Sequence, residues 1–203
     1  MRPEDIEAQS MRIIESEMDA GGIPAVHLPV IKRVVHTTAD FDYVRALVFS
    51  AGAVEQARQA LRAGVPIVTD TNMAAAGISR PYAARYGNTV QCRMADPEVV
   101  RLAGERGTTR AEVSMELAVE QTPEAIFAIG NAPTALIRLC GLIREGRARP
   151  ALIIGVPVGF VNVVESKELL LAMDVPHIVA RGRKGGSTVA AAIVNALYYE
   201  DRT

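Results

Sequence analysis

A histidine, an arginine and two aspartates stand close together in residues 33–43. His36 follows an apolar run with a helical period, and the Thr-Thr-Ala-Asp sequence after it is typical of a helix end. In the last turn of a helix, exposed carbonyls and the helix dipole favour a protonated imidazole, and Asp40 or Asp42 could fix one ring nitrogen. The pattern predicts a proton donor at His36, with a histidine that only caps helix carbonyls as the alternative.

Arg33 precedes His36 by one helical turn, so the two side chains should project from the same side of the helix. The guanidinium could bind an anionic group of a substrate while the imidazole reaches the reacting atoms. We therefore expect Arg33 and His36 to belong to one site.

A second group of cations lies in residues 182–187, the glycine-rich loop, which follows Arg181 and leads into a predicted helix. Free backbone N–H groups in such a loop can bind an anion. The segment lacks the GxxxxGK[ST] spacing, and no GxGxxG occurs in the chain, so a nucleotide site is disfavoured. A carboxylate suits the same donors, which makes Arg183, Lys184 and Ser187 candidate ligand-binding side chains. A solvated basic loop is the alternative.

Other polar residues favour structural roles. Residues 165–168, Glu-Ser-Lys-Glu, lie in a predicted helix between apolar positions, and we interpret them as its solvent-exposed side. His27 precedes a predicted helix and His177 begins a predicted strand. Neither has a metal-ligand partner nearby in the sequence, so both are expected to be structural.

The first helix is expected to bury one apolar stripe. Its spacing places Ile6, Ile13, Ile14 and Met18 in that stripe. Ser10 lies near the edge of the stripe, so periodicity alone makes it a residue at the border of the core.

Short runs rich in Val and Ile alternate with helical patterns along the chain. Strands are predicted at residues 44–49, 65–69, 89–92, 125–129, 152–154 and 177–179, and helices at 53–63, 97–105, 110–119, 133–145, 162–172 and 187–199. This alternation predicts an α/β fold, a single-domain three-layer αβα sandwich with a mainly parallel sheet.

Polar and glycine-rich junctions follow several of the predicted strands. They comprise residues 70–73, 130–134 and 155–160, with a fourth after Val179. Ligands of parallel α/β sheets bind outside the carboxyl ends of the strands, so these junctions predict a site at that edge. Ordinary turns and helix caps are the alternative.

Composition excludes several classes of function. The 203 residues, 49% of them hydrophobic, suit one domain spanning residues 1–203. A net charge of −1 removes any global electrostatic case for nucleic-acid binding. Cys92 and Cys140 have no metal-ligand spacing, so neither a zinc site nor a disulfide framework is expected. Without a signal region or a long apolar stretch, we expect a cytoplasmic protein with no membrane partner.

Several segments, in one order along nearly the whole chain, resemble the precorrin-8X methylmutase family, also called precorrin isomerases, of cobalamin biosynthesis. They are Ser10, residues 33–43, residues 70–73 with Gly77, and residues 129–136, 157–160, 165–167 and 182–187.

The resemblance implies an isomerase that moves a methyl group from C11 to C12 of a corrinoid precursor, without a redox cofactor or metal of its own. It implies that His36 protonates the ring and that Ser10 and Arg33 bind the substrate. Arg110 matches a family arginine near the site, and the substrate's acetate and propionate arms suit Arg183, Lys184 and Ser187. A homodimer with its site at the subunit interface is implied as well.

Two other classes of protein stay open at this point. A tetrapyrrole-binding carrier would keep the arginines but would not need an acid at His36. A phosphate- or nucleotide-binding α/β enzyme would use the glycine-rich loop instead.

Overall fold

Runs of Ile, Val, Leu and Ala form the centre of a six-stranded sheet in the computed structural model, which describes residues 3–199. The strands are β1 (Leu47–Phe49), β2 (Ile67–Thr69), β3 (Val90–Gln91), β4 (Ile126–Ile129), β5 (Leu152–Gly155) and β6 (His177–Ala180). Their order across the sheet is β1-β6-β5-β4-β2-β3, and every neighbouring pair is parallel except β1 with β6. The four central strands are buried at every position, as expected for strands covered on both faces.

Helices cover both faces of this sheet. They are α1 (Pro3–Glu17), α2 (Leu28–Thr38), α3 (Tyr43–Ala46), α4 (Ala53–Arg62), α5 (Asn72–Gly77), α6 (Arg80–Tyr86), α7 (Pro97–Arg106), α8 (Arg110–Gln121), α9 (Pro133–Arg144), α10 (Val163–Leu171) and α11 (Ser187–Tyr199), with a 3₁₀ turn at Ala25–His27. None of the helices between residues 3 and 199 is long and apolar enough to cross a membrane.

Alternate residues of the strands face two separate cores. In β4, Ile126 and Ala128 pack with α2, α4 and α11, whereas Phe127 and Ile129 pack with α8, α9 and α10. A smaller cluster joins α7 to α8. This arrangement confirms the predicted three-layer αβα architecture with a mainly parallel sheet.

Two local expectations were wrong. The strand predicted at residues 44–49 begins only at Leu47, because Tyr43–Ala46 forms α3 and buries Tyr43 and Val44 in the core. A short apolar run does not distinguish a strand from a helical turn.

In α1, Ile6 and Ile13 are 52% and 48% exposed instead of buried. The helix packs on α2, and Met11 and Ile14, with Met18 just after the helix, contact the core, so only one narrow face is covered.

Candidate active site at the carboxyl edge of the sheet

His36 lies in the last turn of α2, as the sequence predicts. Ala39 closes the helix with a positive φ of 52°, and its N–H donates to the Val35 carbonyl at 2.8 Å. The imidazole is exposed, and no hydrogen bond or ion pair to it occurs among the side chains of residues 5–199. The ring is therefore available to a molecule bound outside the helix.

Lys184 connects the glycine-rich loop to the segment that follows His36. Its Nζ donates to Asp40 Oδ2 and to Asp42 Oδ2, each at 2.6 Å. The hydrogen bond from Lys184 lowers the pKa of Asp40, and the two carboxylates raise the pKa of Lys184. Both carboxylates thus bind Lys184 in this structure, and the expectation that one of them orients His36 stays a prediction.

Arg33 is fixed between the two ends of the chain. Its Nη2 donates to Glu7 Oε1 at 2.8 Å, and its Cζ lies 4.8 Å from the centre of the Tyr199 ring. Arg33 and Tyr199 line two shallow pockets beside α2 and α11, of about 240 and 260 Å³. Ser10 lies one turn after Glu7 on α1, and its hydroxyl donates to the carbonyl of Ile6.

Ser187, the first residue of α11, lies beside the junction that follows β2. Its Oγ is 2.7 Å from Thr71 Oγ1, and Thr71 also accepts a hydrogen bond from the Ala74 N–H as the N-cap of α5. The start of α11 and the start of α5 therefore meet at this edge.

Arg183 lies beside the junction that follows β5. Its Cζ is 5.6 Å from the centre of the Phe160 ring, and its carbonyl accepts a hydrogen bond from the Gly159 N–H at 3.2 Å. Phe160 is 82% exposed. A cation and an open aromatic face are thus presented together at the edge of the sheet.

Arg110 is exposed at the start of α8. The preceding residue, Thr109, donates from its hydroxyl to Thr134 Oγ1 at 3.2 Å, and Thr134 lies in the junction after β4. The structure therefore places Arg110 at the same edge, next to the junction after β4 and not beside the segment of Asp40 and Asp42 that Lys184 binds.

Asp70 joins the junctions after β2 and β4. Its buried carboxylate accepts hydrogen bonds from the backbone N–H groups of Gly130, Asn131 and Ala132 at 2.6–2.8 Å. Burial raises the pKa of Asp70, and the three N–H donors oppose that rise. The residue is a structural anchor of the edge.

The glycines here permit close backbone approach. A Cβ at Gly185 would lie 2.1 Å from the carbonyl oxygen of Val156, and one at Gly130 would lie 2.8 Å from the Cα of Ser187. The N–H of Gly186 donates to the same Val156 carbonyl at 2.9 Å. Gly130 and Gly185 are therefore needed because the glycine-rich loop packs too closely against the junctions after β4 and β5 to leave room for a Cβ.

Lys167 corrects the interpretation of residues 165–168 as a solvent-exposed side. Its side chain is fully buried, and Nζ donates to the carbonyls of Gly182 and Lys184 at 2.8 Å each. Burial lowers the pKa of Lys167 to about 8. The signal was present in the sequence, because Lys167 shares a helical stripe with the buried Val163 and Leu170.

The free energy of unfolding should depend on pH through Lys167. A lysine in the unfolded chain has a pKa of about 10.4, above the folded value of about 8. Between these two pH values the unfolded chain therefore binds more protons than the folded protein. This group should therefore add roughly 2.5 kcal/mol of stability as pH rises from about 7 to 10. Urea unfolding of wild type and Lys167→Met at both pH values measures it. A difference between the two proteins that does not change with pH contradicts the expectation.

His27 and His177 have structural surroundings. The His27 ring stacks on Phe49 with the ring centres 4.0 Å apart, and the largely buried His177 places Nδ1 2.9 Å from the Val175 carbonyl. Cys92 and Cys140 are free. Within the described part of the chain, no group of three or more His, Cys, Asp or Glu side chains could bind a metal ion.

Comparison with known proteins identifies close relatives. The family model for precorrin-8X methylmutase matches residues 5–200. A cobalt-precorrin-8 methylmutase of Salmonella typhimurium is 46% identical over 99% of this chain and 97% of its own length. A precorrin-8X methylmutase of Pseudomonas aeruginosa is 43% identical over 95% and 93%. The crystal structure of a precorrin-8X methylmutase from Thermus thermophilus superposes with a TM-score of 0.90 at 45% identity, covering 96% and 94% of the two chains.

Proposed function

The chain belongs to the precorrin-8X methylmutase family of isomerases in cobalamin biosynthesis, and on that premise we propose the reaction and its acid. The enzyme moves a methyl group from C11 to C12 of precorrin-8X or cobalt-precorrin-8, giving hydrogenobyrinate or cobyrinate. His36 is the general acid. Incubation of the purified chain with each substrate, followed by absorption spectroscopy, tests the reaction and separates the two substrates.

One observation supports this assignment most strongly. The two bonds from Lys184 to Asp40 and Asp42, each 2.6 Å long, join the glycine-rich loop to the segment after His36. Lys184, which is proposed to bind ligand, and His36, the proposed proton donor, thereby lie on two segments that meet although they are far apart in the sequence. A large molecule with several carboxylates could contact both at once.

The proposed chemistry begins with a proton on the His36 imidazole. Transfer of that proton to the conjugated macrocycle stabilises the charge that develops as the methyl group leaves C11 and bonds to C12. A proton then returns to the imidazole, so the enzyme is restored. Atoms and electrons are conserved in the isomerisation, and its balance needs no cofactor. A general acid of this kind contributes about 10²–10⁴-fold to the rate.

Binding of the macrocycle is assigned to the cations and hydroxyls that the sequence and the family resemblance indicate. They are Ser10, Arg33, Arg110, Arg183, Lys184 and Ser187. Arg33 is the best supported of the set, because its contacts with Glu7 and Tyr199 hold the guanidinium beside two open pockets. Fixing a flexible macrocycle at several carboxylates would supply the orientation that the methyl shift needs.

Arg33→Ala should weaken binding of the corrinoid product by roughly 1.5–3 kcal/mol, because a charge-assisted contact is lost. Titration calorimetry with the product measures the change. Arg101→Ala is the matched control, because Arg101 also donates to a glutamate at 2.8 Å but lies on α7. The Kd of this variant for the product should equal that of wild type. Equal affinities in all three proteins would return Arg33 to a purely structural role.

A homodimer with its site at the interface forms part of the proposal. The pockets of about 240 and 260 Å³ beside Arg33 are smaller than ordinary ligand pockets of about 300–1,000 Å³. Phe160, the last residue of the junction after β5, and the next residue, Val161, are 82% and 78% exposed. A second copy would cover such side chains and add a wall to the site. Sedimentation equilibrium should give the mass of two chains, and the mass of one chain would contradict this part.

Residues 1–203 are proposed to work as one domain in the cytoplasm. In support, α1 and α11, from opposite ends of the chain, both pack on α2, and the sheet takes strands from residue 47 to residue 180. The thiols of Cys92 and Cys140 are free, which suits a reducing compartment.

A further inference from the structure

The ammonium of Lys167 lies directly beneath the glycine-rich loop. It reaches the loop from α10, through two hydrogen bonds of 2.8 Å to the carbonyls of Gly182 and Lys184. Of the described side chains that are buried, it is the one lysine or arginine. Its two partners are loop carbonyls, and no ion pair between Lys167 and a carboxylate occurs among the described residues.

A buried ammonium of this kind is costly for the fold. Removing the charge from water is unfavourable, and an apolar residue of similar volume often gives equal or greater stability. Two carbonyl acceptors compensate the cost only in part, because Nζ carries three donors. Stability alone therefore gives a weak reason for a lysine at this position.

The loop that Lys167 binds makes the contacts that assemble the site. Each of its three proposed ligand-binding residues meets a different segment: Arg183 lies at the junction after β5, Lys184 at Asp40 and Asp42, and Ser187 at the junction after β2. The path of the loop between these contacts is set by where its carbonyls point. Gly182, with a φ of 78°, has the backbone freedom to turn its carbonyl toward Nζ.

We propose that Lys167 is a positioning residue, which holds the glycine-rich loop in the shape that presents Arg183, Lys184 and Ser187 to the carboxylates of the substrate. The identity of that substrate rests on the proposed function, whereas the shape of the loop does not. The buried charge also adds to that of Arg183, which favours an anionic ligand, whereas Lys184 and Arg181 face carboxylates of Asp40, Asp42 and Glu168. Lys167 acts through the loop and does not touch the reacting atoms.

Amide hydrogen exchange of Lys167→Met tests the hold on the loop. Exchange in residues 182–187 should become at least tenfold faster, while exchange in β4 stays within about twofold of wild type, since one local restraint is lost. Ser166→Ala is the matched control. Ser166 is equally buried and adjacent, but its hydroxyl donates to Val163 within its own helix, so the loop should exchange as in wild type.

Steady-state kinetics separate positioning from a general loss of structure. Lys167→Met should raise KM at least tenfold and change kcat by less than about threefold, because the loop supplies binding and His36 supplies the proton. A fall in kcat at constant KM, with unchanged exchange in the loop, would overturn the proposal. If Lys167→Met does not fold, the same measurements on Lys167→Gln, which is shorter but polar, should show the same pattern.

The two proposals can fail separately. If wild type turns over no corrinoid, the proposed function is refuted. If loop exchange is nevertheless faster in Lys167→Met and unchanged in Ser166→Ala, the role of Lys167 is retained. If wild type turns over the corrinoid normally and the loop exchanges equally in Lys167→Met and Ser166→Ala, the proposed function is retained and the role of Lys167 is refuted.

Discussion

Replacement of His36 by alanine is expected to lower kcat at least 100-fold while leaving the affinity for the corrinoid product within about tenfold of wild type. The imidazole is exposed at the end of α2, away from the packed core, so its removal should not disturb the fold. It is proposed to act on the transition state, and the loss should therefore appear in kcat more than in binding. Single-turnover assays with saturating enzyme, together with product titration, measure the two effects.

Added imidazole provides the control for this variant. If a proton donor is all that His36→Ala lacks, millimolar imidazole buffer should restore part of the rate, and restoration should be stronger at pH values where the buffer is protonated. Thermal unfolding should match wild type. Activity above about a tenth of wild type without imidazole would remove His36 from its role as the acid.

Asp70→Asn should lower the free energy of unfolding by roughly 3–5 kcal/mol, which corresponds to about 10 °C in Tm for a chain of this size. The buried carboxylate accepts three backbone N–H bonds from residues 130–132. The asparagine side chain has only one acceptor oxygen. Its NH₂ group would take the place of the second carboxylate oxygen and would face a backbone N–H, which cannot accept a hydrogen bond. At least one buried donor would then lose its partner. Urea unfolding at neutral pH measures the difference.

Asp174→Asn is the matched control for Asp70→Asn. Asp174 is exposed before β6, so the same chemical change should alter stability by less than about 0.5 kcal/mol. If Asp70→Asn proved as mild as Asp174→Asn, the junction after β4 would not depend on the carboxylate.

Most strands and long helices of the fold could be predicted from the spacing of apolar residues in the sequence. The central strands are mainly apolar runs of three or four residues, and most of the long helices carry capping residues or glycine stops in the sequence, so both were predicted within a few residues. The short helices α5 and α6 were not predicted, because six or seven residues give too few turns for a helical period to show.

The failed expectations share a cause in tertiary packing. Ile6 and Ile13 have the right spacing for burial, but α1 lies at the edge of the fold and only one narrow face of it is covered. Lys167 was assigned to solvent by its charge. Its spacing from Val163 and Leu170 did indicate the buried stripe of α10. The loop carbonyls that accept its hydrogen bonds lie 15 and 17 residues away in sequence, and no local pattern shows that they return to α10.

The position of His36 at a helix end followed from the residues on either side of it, whereas the binding partner of Asp40 and Asp42 did not. Spacing placed Asp40 and Asp42 next to the imidazole. In the structure both carboxylates bind Lys184, which is more than 140 residues away in the chain. An ion pair between distant segments depends on the fold, and a single sequence gives no sign of it.

The most direct test of the proposed reaction uses precorrin-8X, and in parallel cobalt-precorrin-8, with a carbon-13 label in the methyl group at C11. After incubation with the purified chain, nuclear magnetic resonance of the product should find the label at C12 for at least one substrate, and at C11 after incubation with His36→Ala. A label that stays at C11 while the corrinoid binds would indicate a tetrapyrrole carrier. Absence of corrinoid binding, with a higher Tm in ATP or NAD, would indicate a nucleotide-binding enzyme. Either result would contradict a methyl shift catalysed by this chain.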